Sequence, residues 1–210
     1  MTGSSDGIEV TCQAKMEFDG YVEYNYQVTS NANIPVNDIR LELPFNSDIA
    51  RYSMGMGQEG GKCPSNLAWR WDVKNNQDGI WIGDVNAGMQ IRFWAENYDR
   101  PLNTNFYQSK PLNMPPSWYN NDKGGFLMQK NGNTLNTRVF SGARTLEKGE
   151  TLNFNFGMLI TPFKIIDTKK HFSTRFYHSA NPVDSVKVYG ANTINLHHAN
   201  EMNPYINYPF

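Results

Sequence analysis

The residues best equipped for chemistry cluster late in the sequence, at His197, His198, Asn200 and Glu201. Imidazole, amide and carboxylate groups this close together can hydrogen-bond a polar ligand or ligate a metal. They follow Val186 to Leu196, a run of β-formers and small residues that reads as a buried parallel strand ending in a polar loop. Adjacent histidines on a strand point to opposite sides. His197 and His198 are therefore poorly placed to share one ion, and no metal is expected. The better expectation is that His198, Asn200 and Glu201 line a polar pocket at a strand end, where barrel folds place their ligand-binding groups.

Aromatic side chains form the second candidate set. Trp69, Trp71, Trp81, Trp94 and Trp118 could each stack on the apolar C–H face of a pyranose. Trp81 and Trp94 fall in strand-like runs and are expected in the core. Trp118 and Tyr119 follow Pro115 and Pro116 in a long loop, where a ligand platform and a core position remain equally open.

Other patterns dissolve on inspection. Gly55, Gly57 and Gly60 have dinucleotide-site spacing, but Gly61, Lys62 and Pro64 follow them instead of an amphipathic helix. Without a helix N-terminus to hold a pyrophosphate, the segment reads as a flexible glycine loop, and no cofactor is expected. Asp84, Asn86 and Gly88 lack the further acids of a calcium loop and read as a hairpin turn. There is no Gly-x-Ser-x-Gly elbow, no Cys/His pair in a local signature, and no visible carboxylate partner for Glu201. No catalytic residue is assigned.

The elements that would hold these groups are strands. Ile8, Val10, Cys12, Ala14 and Met16 alternate with polar residues, Asp19 and Gly20 supply a tight turn, and Val22, Tyr24, Tyr26 and Val28 resume the alternation. Ile39, Leu41 and Leu43 predict a third strand stopped by Pro44. Residues 46–68 read as irregular. Gly79–Gly83 and Met89–Trp94 predict a hairpin. Residues 96–125, with four prolines, predict a long surface excursion. Thr134–Phe140 and Thr151–Thr161 predict two more strands. In the latter, Leu152, Phe154, Phe156, Met158 and Ile160 share one face. Strands separated by turns every ten or so residues predict an all-β fold, an antiparallel β-sandwich of the supersandwich kind, over residues 8–179.

Composition agrees. Aromatics make up 13% of residues and charged residues only 19%, which suits aromatic strands better than long amphipathic helices. A net charge of −1 with no basic stripe argues against a nucleic-acid partner. No apolar run is long enough to cross a bilayer, so no membrane partner is expected. Cys12 and Cys63 are expected as free thiols. Residues 1–7 lack the basic and apolar regions of a signal peptide and read as a flexible leader. Beyond Ser179 the chain reads as a linker, then the strand and loop described above. Asn203 to Phe210 is so apolar that another folding unit is expected to cover it.

Four phrases carry a family resemblance: Trp81–Gly88, Arg100–Phe106, Leu159–Phe163 and Ile194–Phe210. Across most of residues 50–210 the chain resembles large glycoside hydrolases of gut Bacteroidetes, similar to glycoside hydrolase family 123. In that group β-sandwich modules precede a (β/α)8 catalytic barrel. The resemblance implies that residues 180–210 are a linker and the first strand and loop of that barrel, cut short. It also implies a carbohydrate substrate for the parent enzyme, the rest of the barrel as partner in cis, and a periplasmic or secreted location. Family 123 enzymes act on N-acetylhexosaminides through an adjacent Asp-Glu pair assisted by the substrate's acetamido group. This sequence contains no Asp-Glu dipeptide. The expected role is a non-catalytic domain that supports the barrel and contributes to carbohydrate binding. The alternatives are an independent carbohydrate-binding module and a structural or adhesive sandwich.

Overall fold

The computed structural model describes residues 1–56, 58–71, 78–94, 115–162, 164–177 and 190–194. The chain divides into two compact units, Met1–Phe163 and Lys164–Phe210.

In the first unit β1 (Thr2–Ser5) pairs antiparallel with β2 (Ile8–Met16). The expected flexible leader is thus a strand. Asp6 and Gly7 both take positive φ, the backbone of a tight two-residue hairpin turn. All four β1 residues are exposed, so the strand is held by ladder hydrogen bonds and carries no hydrophobic pattern to read. The hairpin of β2 with β3 (Tyr21–Ser30) forms as expected about Gly20.

After β4 (Ile34–Val36), strand β5 (Arg40–Asn46) runs through Pro44 instead of stopping there. It lies at a sheet edge, with Pro44 opposite Asn136, and an edge position can spare one N–H. The segment expected to be irregular contains β6 (Tyr52–Gly55), β7 (Gln58–Lys62) and β8 (Asn66–Arg70). Its glycines turn a hairpin. Gly55 takes φ +107° close to the Gly79 carbonyl, where a Cβ would collide. A strand follows this turn, as β7, so the requirement for a phosphate-holding helix is not met.

The Gly79–Trp94 hairpin is β9 (Gly79–Asp84) and β10 (Ala87–Trp94), turning at Val85 and Asn86. Next come α1 (Pro116–Tyr119), β11 (Gly125–Asn131), β12 (Thr134–Phe140) and β13 (Arg144–Leu146). The strand expected over 151–161 is two: β14 (Thr151–Asn153) and β15 (Asn155–Thr161), broken at Phe154. Its one-sided pattern also fails. Residues 153–157 are buried on both faces, in part because the Tyr21 ring covers Gly157, while Ile160 near the strand end is 62% exposed.

Two antiparallel sheets result. The larger runs β1-β2-β3-β15-β10-β9-β6-β7, with β14 also paired to β3, and the smaller runs β5-β12-β11-β8. A two-stranded β4/β13 pair lies beside them in the chain order. One core joins the sheets. Val28, Ile80, Ile82, Ile91, Phe93 and Phe156 from the larger cluster with Trp69, Phe126, Met128, Leu135 and Val139 from the smaller. Alternation explains the sorting: on β12 Leu135, Thr137 and Val139 point in, while Thr134, Asn136, Arg138 and Phe140 stay accessible. This is an all-β antiparallel sandwich.

In the second unit Asp167 caps α2 (Thr168–Ser173), its Oδ1 accepting from the Lys170 N–H at 2.9 Å. His171 lies in this helix and is exposed. Strand β16 (Phe176–Tyr177) pairs in parallel with β17 (Thr193–Ile194). Asn192 ties the two together, accepting from the Arg175 N–H and donating to the Ser173 carbonyl. The sequence boundary at 179 falls inside this unit, where Phe176 and Tyr177 pair with Thr193 and Ile194. Within the 186–196 run, Thr193–Ile194 form a parallel strand. Among the described residues no helix is long and apolar enough to cross a membrane.

Candidate functional site

Of the residues singled out in the sequence, His198, Asn200 and Glu201 lie outside the described residues. Trp118 and Tyr119 form the end of α1, and the structure sends them in different directions. Trp118 is 2% exposed. Its ring meets Phe93 and Phe154 edge-on, at centroid distances of 5.5 and 4.9 Å, and its Nε1–H donates to the Asn155 carbonyl at 3.1 Å. A ring so enclosed offers no face to a sugar. Trp81, also expected in the core, lies half-buried against Gly88 and donates to Thr161 Oγ1 at 2.8 Å.

Tyr119 stays half-buried beside a hollow of about 510 Å³ at the end of α1. The local backbone is unusual. Asn120, Asn121 and Asp122 take φ of 45°, 52° and 68°, three consecutive left-handed residues without a glycine among them. Such positions cost about 1–2 kcal/mol each for ordinary L-residues, less for Asn and Asp, and need surrounding restraints. The restraints are visible. Asn120 Nδ2 donates to the Ser141 and Ala143 carbonyls, the Gly124 N–H donates to the Tyr119 carbonyl, and Arg70 Nη1 donates to the Lys123 carbonyl at 2.6 Å. Asp122 accepts from the Tyr119 phenol, which raises the phenol's pKa, with burial and the Asp122 charge adding to the effect.

Across the hollow stands Arg144 on β13. Nη2 donates to the Ser117 carbonyl at 2.6 Å, and the guanidinium lies 5.6 Å from the Phe154 ring centroid. Nε is sealed from solvent without a partner. Burial pulls the guanidinium's pKa down, and the charges of Glu150 and Asp38 oppose that. Glu150, on the same hollow, accepts from the Glu147 N–H at 3.0 Å. No ion pair joins it to Arg144 among the described residues.

Arg144 and Glu150 were not singled out in the sequence. Neither falls in a motif, and the guanidinium gains importance from its bond to Ser117 on α1, 27 positions earlier. The hollow is lined by a cation, a carboxylate and amides. Elsewhere, Cys12 and Cys63 are free thiols. Burial pushes the Cys63 thiol up, against the pull of Ser53 and Lys130, which is the opposite of an activated nucleophile. Among the described residues no group of three or more His, Cys, Asp or Glu is placed to hold a metal.

Residues 1–162 match the family profile described as glycoside hydrolase 123, third domain. The chain belongs to the glycoside hydrolase 123 family. Residues 167–210 match that family's TIM-barrel domain, and the two matches meet where the compact units divide. The β-rich unit is thus a glycoside hydrolase 123 third domain, and the parallel β16/β17 pair belongs to the start of the barrel domain. No curated protein matches the chain. Among solved structures, one described as a kojibiose phosphorylase from human microbiome is similar at 10% identity and a TM-score of 0.31. The alignment covers 79% of this chain and 18% of that one. A likeness that weak carries no functional argument, and the chain spans under a fifth of that protein's length.

Proposed function

We propose that residues 1–162 are a non-catalytic β-sandwich that supports the catalytic barrel of a glycoside hydrolase, the barrel to which residues 167–210 contribute. One observation carries the reading: third-domain and barrel profiles of a single family match consecutive stretches of one chain. A sandwich of two antiparallel sheets, with an apolar core joining both, is suited to act as a rigid buttress. In this reading His198, Asn200 and Glu201 belong to the barrel's substrate side, where loops after barrel strands gather the ligand-binding groups. Carbohydrate is then reached through the barrel, without nucleic acid or membrane as partner. A gut Bacteroidetes origin and a periplasmic or secreted location complete the proposal, motivated by the sequence phrases noted above.

The test is hydrolysis of an aryl N-acetylhexosaminide by the 210-residue chain. The expected result is no release of the aryl group above the uncatalysed rate. Turnover that disappears in Glu201→Ala would overturn the non-catalytic role.

A further inference from the structure

We propose that the hollow beside α1 binds a neutral pyranoside through a vicinal diol, with Arg144 donating to one hydroxyl and Glu150 accepting from its neighbour. Two side chains that line the hollow, Arg144 and Glu150, keep unused hydrogen-bonding capacity. Arg144 is half-buried, yet only Nη2 makes a hydrogen bond and no carboxylate lies within ion-pair distance among the described residues. A desolvated guanidinium with open donors is costly unless acceptors reach it. Nη1 is the remaining edge, since Nε is sealed. Glu150 engages one oxygen with the Glu147 N–H, which leaves its other oxygen for a donor.

A donor and an acceptor sharing one hollow without closing on each other suit a group that accepts and donates at adjacent atoms. Two neighbouring hydroxyls do both. Charge selects among such ligands. Glu150 lines the hollow beside Arg144, so an added anion would gain one cation and meet one carboxylate. A neutral sugar avoids that repulsion. The remaining walls fit a pyranose as well: Tyr119 and Leu152 supply apolar surface, and exposed Asn121 offers an amide at the rim. The volume of about 510 Å³ is in the range of small-ligand sites and exceeds one sugar ring. The left-handed Asn120–Asp122 turn holds Asn121 in place at the rim, with its backbone conformation fixed before any ligand arrives.

The experiment is an amide-correlation NMR titration of the 210-residue chain with methyl β-D-glucopyranoside, methyl β-D-galactopyranoside and methyl α-D-mannopyranoside, with D-glucuronate as the charged comparison. At least one neutral pyranoside should give saturable shifts at Tyr119, Asn121 and Thr145. Glu150→Gln and Asn121→Ala should each weaken that binding about fivefold or more, the effect of one lost hydrogen bond. Both changes lie at the hollow's edge, and unchanged signals from the two sheets will show that the fold is kept. Absence of saturable shifts with all three pyranosides overturns the proposal. So does binding that both variants leave unaltered, and so does a response to glucuronate alone. The shifts followed and both variants lie within residues 1–162, so the outcome is separate from that of the supporting role.

Discussion

Replacing Trp118 with Ala should unfold the sandwich more readily and do little else. Trp118 is 2% exposed, and its ring closes against Phe93 and Phe154. Truncating so large a buried ring costs about 3–5 kcal/mol, from lost transfer energy and the cavity left behind. Losing the 3.1 Å hydrogen bond to the Asn155 carbonyl adds about 1 kcal/mol. Trp118→Phe keeps most of the packing and loses the hydrogen bond, so a penalty of about 1–2 kcal/mol is expected there. For a domain of this size, each kcal/mol lowers Tm by about 2–4 °C, which puts Trp118→Ala about 8–24 °C below the parent. Urea unfolding followed by near-ultraviolet circular dichroism provides the stability difference directly, from the midpoint and slope. A loss under about 1 kcal/mol for Trp118→Ala would refute the core assignment, because that is the range of an exposed side chain.

Two further perturbations probe the neighbourhood. Asn121→Gly, at an exposed residue with φ of 52°, should stabilise the domain by about 0.5–1 kcal/mol in the same unfolding assay, since glycine occupies that region without a Cβ. A loss of stability instead would show that the Asn121 side chain holds the turn. Cys63 should alkylate more slowly at neutral pH in the native chain than in urea, because burial raises its pKa and thins the thiolate that reacts. The difference should shrink as pH rises through the folded thiol's range. Mass spectrometry of iodoacetamide-labelled peptides measures it, and equal rates at neutral pH would contradict the shift.

Much of the sandwich was legible in the sequence because its inner strands obey a period of two. Val22, Tyr24, Tyr26 and Val28 on β3, and Ile91 with Phe93 on β10, alternate cleanly and are stitched by turns at Gly20 and at Val85–Asn86. What escaped had no such pattern. Strands β1 and β7 are exposed at every residue, so backbone pairing alone defines them. Strand β11 opens with Gly125, Phe126, Leu127 and Met128, a continuous run that merges with the preceding loop. The break at Phe154 follows from pairing: β14 and β15 each pair with β3, while the Phe154 N–H between them donates to the Tyr26 carbonyl. The hollow was the least legible feature. Tyr119 was a candidate by residue type and loop position, whereas Arg144 and Glu150 gain meaning only when β13 and the start of β14 line one hollow with α1.

The supporting role is tested most directly in a family 123 protein carrying both the third domain and a complete barrel. Deleting the third domain should lower the barrel's melting temperature and its hydrolysis of an aryl N-acetylhexosaminide together, with the lost activity tracking the fraction of folded barrel. A barrel that melts at the same temperature and hydrolyses at the same rate without residues equivalent to 1–162 would contradict the account.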